Sequence, residues 1–301
     1  MNINLIKFQI LEELYKSQKI TTVAQKLNLK QPTITFHLKA MEKEFKVKLF
    51  ENRHGKIFLT EAGEALYHYA VKINALTLES ARVVKEYEHG KGTIKIGASY
   101  VPATYLLPRI LSNYSQENPK LSFSLKVKTA PAVLSMLQNH EIDVCIISSE
   151  PFELPNIMSK ALLKDDMVVF FSKTHPLAGE PCLNTELLKK SSLIIHGENS
   201  TTRNITLKWL NYLGIKIDTL IELDSLEAIK HIVLLGQHIS VISRLAIKSE
   251  LTEGSLLCHE IPSKEAFITQ RNIYYAINLD RKSSSSLTNF IDYLSNIAIT
   301  K

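Results

Sequence analysis

The stretch LNLKQPTITFHLKAMEKE, Leu27–Glu44, decides how the first part of the chain folds. Asn28 tolerates the left-handed conformation that ends a helix, and Pro32 fits only a helix's first turn. One helix therefore stops at Asn28-Leu29-Lys30 and another starts at Gln31-Pro32. In the second helix Ile34, Leu38, Met41 and Phe45 recur at helical spacing and bury one face. The other face carries Thr33, Thr35, Phe36, His37, Lys39 and Lys43, with no acid before Glu42. Short hydroxyls and cations on a helix that follows a tight turn suit a DNA major groove. An ordinary amphipathic surface helix shows the same spacing, so the neighbouring segments decide between the two.

Upstream, Leu5, Phe8, Leu11, Leu14 and Tyr15 predict an amphipathic helix ending near Ser17. Thr22-Val-Ala-Gln25 reads as a capping box that opens a short helix, Thr22 to Leu27. Helix, short helix, three-residue turn and longer helix is the helix-turn-helix layout. Downstream, Val47–Phe50 and Lys56–Leu59 flank a polar turn containing Gly55 and predict a small hairpin, or wing. Arg53, His54 and Lys56 lie at its tip, in reach of phosphates or a minor groove.

Charge is distributed to match. Of 36 Lys and Arg and 30 Asp and Glu, eleven basic and five acidic residues fall between Met1 and Phe58. The whole net charge of +6 belongs to that first fifth, and the remainder is neutral. A basic head on a neutral body is the electrostatic footprint of nucleic-acid binding. A content of 45% hydrophobic and 22% charged residues is that of a soluble globular protein long enough for two or more domains. No apolar run approaches a bilayer span and Met1–Lys19 is too charged for a signal peptide, so the expected location is the cytoplasm, with no membrane partner. Cys145, Cys182 and Cys258 form no CxxC, which argues against a disulfide framework or a zinc site; Cys145, within an apolar run, reads as core.

Thr60 opens a long helix to about His89 in which Ala62, Leu66, Tyr69, Ile73, Leu76, Ser80, Val83 and Tyr87 are spaced alternately by 4 and 3. A 3.5-residue period predicts a helix–helix seam. Its partner is either the same helix of a second subunit, which the length of the pattern favours, or the chain's own head. Gly90-Lys-Gly92 breaks this helix as a linker. From Thr93 strands alternate with helices: Thr93–Ala98, Leu121–Lys128, Ile142–Ile147, Met167–Phe171, Leu193–Ile195, Leu220–Leu223, Ile239–Ile242, Leu256–Ile261 and Asn272–Ala276 as strands. Helices fall at about Pro102–Gln116, Pro131–His140, Thr202–Leu213, Ser225–Leu235 and Ser286–Ile297. The alternation means α/β architecture with largely parallel sheets.

The block AQKLNLKQPTITFHLKAMEKEFKVKLFE, then LTEAG at Leu59–Gly63, the long helix, and later GASYVPATYLLPRIL, HEIDVCII, THPLAG and NSTTR closely resemble the LysR-type transcriptional regulators. The resemblance covers essentially the whole chain and looks closest to the branch that senses metabolites of sulfur or carbon assimilation. It implies an N-terminal all-α winged helix-turn-helix over 1–59 and a dimerising linker helix and hinge over 60–92. Over 93–301 it implies an α/β, two-lobed, periplasmic-binding-protein-like effector domain. Lobe one would comprise 93–163 and 269–301 and lobe two 164–268, with crossings near Leu163–Lys164 and Ile268–Gln270. It further implies homodimers through the linker helix, tetramers on interrupted inverted repeats, and often a divergently transcribed neighbour.

Two positions depart from the family pattern. Lys30 stands where a capping Ser is common, which forfeits ~1 kcal/mol of helix cap. Asn52 stands where Arg usually follows the wing's Glu, with Arg53 one residue later. Matched position by position, Gln31, Thr33, Thr35, Phe36 and His37 face the groove, and Lys30, Lys39, Arg53 and Lys56 contact phosphates. Phe36 fits either a thymine methyl or packing within the head.

For the effector, polar stretches follow predicted strand ends at Ser99-Tyr100-Val101-Pro102, Thr129-Ala130, Ser148-Ser149 and Asn199–Thr202. Ligands of open α/β sheets bind there, and helix N-termini favour anions. The candidate set is Ser99, Tyr100, Val101, Pro102, Thr129, Ser148, Ser149, Ser200 and Thr202, with Arg203 and His196 at its flank. Plain helix capping is the competing role for each hydroxyl. Hydroxyls without an obvious acidic pair point to a small anionic or polar metabolite. No G-x-S-x-G, HExxH, P-loop or dinucleotide fingerprint is present, and Asp165-Asp166 reads as a solvated crossover; no catalysis, cofactor or metal is expected. The alternative is a solute-binding protein without a transcriptional role, which would not account for the basic head.

Overall fold

The computed structural model describes residues 4–89, 92–216, 220–261, 271–280 and 284–299. The chain separates into two compact units whose boundary along the sequence falls at Lys91–Gly92.

In the first unit, α1 (Leu5–Ser17), α2 (Ile20–Lys26) and α3 (Gln31–Phe45) are followed by a hairpin of β1 (Phe50–Arg53) and β2 (Lys56–Leu59), then α4 (Glu61–His89). Asn28 takes a positive φ of 52°, and Pro32 lies in the first turn of α3, so the turn forms as the residues require. Ile34, Leu38 and Met41 join Ile10, Leu14, Val23 and Leu49 in one core, each such side chain worth roughly 1.5–3 kcal/mol when buried. The capping box at Thr22 does not form. Helix α2 starts two residues earlier, with Lys19 in the capping position and no side-chain cap, which puts Thr22 inside the helix. Instead, Gln18 ends α1 in the left-handed conformation and the chain turns straight into α2. The hairpin pairs Arg53 with Lys56 across His54 and Gly55, both at positive φ, the turn whose twist matches the strands.

Helix α4 divides the seam expected of it. Ala62, Leu66 and Ile73 pack on the head's own clusters with Phe8, Leu11 and Ala70. Tyr69, Leu76 and Ser80 stay exposed, Tyr69 at 63%. Tyr87 has no described side-chain environment, and the Gly90-Lys91 part of the linker lies outside the described residues. The 3.5 period arises because one stripe serves the head while the remainder is left open.

The second unit runs β3 (Gly92–Ala98), α5 (Tyr100–Tyr105), α6 (Leu107–Glu117), β4 (Leu121–Val127), α7 (Ala130–Gln138), β5 (Val144–Ser149), β6 (Ile157–Lys164) and β7 (Met167–Ser172). It continues with α8 (Thr185–Lys190), β8 (Ser192–His196), α9 (Thr201–Tyr212), β9 (Leu220–Leu223), α10 (Leu226–Leu234) and β10 (His238–Ser243). It closes with α11 (Lys248–Glu253), β11 (Leu256–Glu260), β12 (Asn272–Asn278) and α12 (Ser285–Ile299). Two sheets result, in the orders β4-β3-β5-β12-β6 and β11-β7-β10-β8-β9. The two-lobed α/β architecture is as expected, but the sheets are mixed. Strands β3, β4 and β5, and β8, β9 and β10, pair in parallel; β12 and β7 run antiparallel to both their neighbours. The strands that cross between lobes enter from the opposite end, which reverses them. The first crossing falls at Asp165-Asp166, while the second lies outside the described residues.

The expected helix Pro102–Gln116 is two helices. It breaks at Leu106 because Pro108 offers no N–H and restarts the helix as α6. In the first lobe α5, α6 and α12 cover one sheet face, with Tyr114 against Phe123 and Phe290, and α7 covers the other around Cys145. In the second, α8 and α9 bury Trp209 on one face, and α10 covers the other.

Candidate functional site

The first unit presents a concave surface bounded by Thr21, Gln25, Asn28, Gln31, Thr35, Phe36 and Lys39, between α2 and the start of α3. Phe36 is 67% exposed, which excludes packing within the head. Thr35 Oγ1 donates to the Gln31 carbonyl at 3.2 Å, a local bond that a better partner readily replaces. Thr33 is half-buried on the same turn. His37 is half-buried, its ring edge-on to Phe36 at 5.7 Å and its Nδ1 covered.

The cations sort themselves. Lys7 pairs with Glu44 at 2.9 Å, Lys16 with Glu12 at 2.6 Å and Lys26 with Glu13 at 2.6 Å, so Glu12 and Glu13 of α1 and Glu44 of α3 already have cationic partners. Among the described residues Lys30, Lys39 and Lys56 are exposed and have no carboxylate within ion-pairing distance. Lys30 makes no side-chain cap. Arg53 is held by Glu51, Nε at 3.0 Å, with its guanidinium 5.8 Å from the Phe58 ring centre; this exposed pair costs little to open.

In the second unit a cavity of about 60 Å³ lies between the lobes. Ser99, Tyr100, Val101, Thr129 and Ala130 line it from the first lobe, and His196, Ser200, Thr202 and Asp224 among others from the second. Ser99 sits where β3 passes into α5, its N–H bonded to the Ile146 carbonyl at 3.1 Å and its Oγ accepting from Ser148 N–H at 2.9 Å. Ser200 caps α9. Thr201 Oγ1 donates to the Ser148 carbonyl at 3.3 Å, joining one lobe to the other. Pro102, Ser148 and Ser149 are not among the lining residues. Pro102 and Ser148 are buried beneath it, and Ser149 Oγ is spent on the Glu150 carbonyl at 2.7 Å. Arg203 is likewise occupied, with the His196 carbonyl at 2.9 Å and Glu222 at 2.6 Å.

Three lining residues carry charge. Arg271, 3% exposed, donates to Thr202 Oγ1 at 2.7 Å and lies 2.7 Å from Asp165, which Ser243 also binds. Asp165 is thus a buried counter-ion, and only Asp166 is the solvated residue expected of that pair. Asp224 and Glu198 supply the carboxylates that the sequence reading found absent. Arg271 adjoins a strand without a motif, and Asp224 precedes a serine cap; nothing in their spacing marks them. His196, buried against the Val241 carbonyl at 2.9 Å, has its pKa pushed down to about 4, chiefly by desolvation.

Residues 5–64 match the bacterial regulatory helix-turn-helix protein of the lysR family, and residues 88–298 match the LysR substrate binding domain. The chain belongs to the LysR family. A probable RuBisCO transcriptional regulator of Phaeodactylum tricornutum is 31% identical over 255 residues, covering 81% of this chain and 82% of its own. Full-length CbnR complexed with its target DNA superposes with a TM-score of 0.67 at 17% identity, covering 98% of this chain and 99% of that one. The regulatory domain of Synechocystis CcmR in complex with 2-PG matches at 28% identity and a TM-score of 0.61, covering 70% of this chain and 98% of that domain. As a LysR family member the protein is a DNA-binding transcriptional regulator with an effector-binding domain. The solute-binding alternative finds no support in these matches.

Proposed function

We propose that this regulator reads an interrupted inverted repeat through Gln31, Thr33, Thr35, Phe36 and His37, with Lys30, Lys39, Arg53 and Lys56 on phosphates. Residues 1–59 form the head, 60–92 the dimerising helix and hinge, and 93–301 the effector domain, assembled as a cytoplasmic homotetramer without catalytic activity. The exposed Phe36 beside unpaired Lys30 and Lys39 carries this reading, because an exposed aromatic amid unneutralised cations is costly unless a polyanion covers it. A small polar metabolite with an anionic group binds between the lobes at Ser99, Tyr100, Val101, Thr129, Ser200 and Thr202. Its use in this chain is supported by the donors facing that cavity and by the likeness to a domain solved with 2-PG.

The ligand acts only through its difference in affinity for two arrangements of the lobes, and so of the DNA-binding heads. The experiment is promoter occupancy and transcript level in cells. Thr35→Ala abolishes occupancy, whereas Ser99→Ala keeps it and fixes transcription at one level under all growth conditions. A Ser99→Ala strain that responds as wild type overturns the cleft assignment.

A further inference from the structure

One part of the second lobe's wall of the cleft, at His196, Glu198 and Asp224, is built from acceptors. His196, 5% exposed, lines it with Nε2 2.9 Å from the Val241 carbonyl. A carbonyl can only accept, so Nε2 carries the proton and Nδ1 is left as a lone pair. The ring has no spare N–H to offer a ligand.

Beside it, Asp224 rests directly on the backbone of Gly197. A Cβ at that glycine would lie 1.7 Å from Asp224 Oδ1, so only glycine leaves room for the carboxylate there. Gly197 N–H is itself fixed on the Leu223 carbonyl at 3.1 Å. Asp224 has no capping duty, because Ser225 Oγ accepts from Ala228 N–H at the start of α10. Among the described residues no donor or cation engages its side chain. Glu198 adds a second carboxylate to the same wall.

Donors lie elsewhere around the cavity. Ser99 Oγ accepts from Ser148 N–H, which leaves its own proton to give. Thr129, Arg271 and the N-terminus of the twelve-residue α9 complete that set. Donors alone would suit a simple anion; a free carboxylate and a lone-pair nitrogen beside them do not.

We propose that the effector carries an ammonium group as well as its anionic group, and is a small amino acid or a phosphorylated one. Asp224 and His196 Nδ1 hold the ammonium, and Ser99, Thr129 and the start of α9 hold the anion. This rests on the reading of the cleft as the effector site.

The test uses full-length protein and two matched pairs in which only the amino group differs: L-serine against L-glycerate, and O-phospho-L-serine against 3-phosphoglycerate. Calorimetry is expected to show the amino member of one pair binding at least tenfold more tightly than its partner. Asp224→Asn then erases that preference, weakening the amino member ten- to hundredfold and leaving its partner unchanged. Asp224→Ser does the same, and an unchanged melt of the buried Trp209, in the same lobe, shows that both variants fold. Equal or tighter binding of the hydroxy acid, no binding of either amino member, or a preference that survives Asp224→Asn overturns the inference. DNA protection that Thr35→Ala removes would then still stand, so failure here is separable from failure of the regulator reading.

Discussion

His196 couples the cleft to acidity. Its pKa falls from 6.5 to about 4 on folding because burial penalises the cation. Between those values the unfolded chain binds the extra proton, so stability rises with pH. About 3 kcal/mol is therefore present above pH 6.5 and lost as pH falls towards 4. Melting followed by the single tryptophan, Trp209, which is buried in the same lobe, should show a steeper acid loss in wild type than in His196→Gln. His175, held down by burial and by His238, pushes the wild-type curve the same way and remains in the variant as a background. At the head, Lys39→Ala should flatten the dependence of log affinity on log salt by ~1, since Lys39 has no competing carboxylate. Arg53→Ala should change it by less, because Glu51 already holds that guanidinium in the free protein. Residue roles were unevenly legible. Thr35 and Ser99 announce themselves by position in a repeatable pattern; Arg271 and Asp224 reach the cleft only through the tertiary fold, which no local spacing encodes.

At the scale of elements, sequence periodicity served well wherever one face of one element met one core. Helix α3 forms over Gln31–Phe45 with the apolar face its spacing predicts. Strand β6 carries little strand signal because it is an edge strand, bonded among the described residues to β12 alone, and alternates poorly, with Lys160 and Ala161 exposed in its middle. Capping at Thr22 was misplaced because the tight exit from α1 overrode a good local signal. Helix α4 shows the same competition: part of its seam belongs to the head. What it leaves exposed, Tyr69 and Leu76, is the surface assigned to a second copy. Tyr69→Glu should weaken self-association at least tenfold by sedimentation while leaving the head's helical signal intact. An unchanged sedimentation profile would remove α4 from the interface.

Across the whole molecule, α/β architecture followed from βα alternation and the two-lobed plan from the family resemblance, but strand direction followed from neither. Parallel pairing was inferred from local order, whereas β7 and β12 are reversed by crossing between lobes, a long-range fact. That crossing is secured by the buried pair of Arg271 and Asp165 at 2.7 Å. Arg271→Ala should destabilise the second unit by about 3–5 kcal/mol, since it strands a buried carboxylate. Lys208→Ala, which breaks the exposed pair with Glu150 at 2.9 Å, should cost under ~1 kcal/mol. Chemical denaturation of the two variants separates these magnitudes. The basic head and the neutral lobed body describe a protein that reads DNA and is told when to act. A DNase I footprint on the intergenic DNA upstream of its own gene, at fixed salt, tests this most directly. Wild type should protect an interrupted inverted repeat and Thr35→Ala should not; protection unchanged by Thr35→Ala, or no salt-sensitive protection at all, would contradict the account.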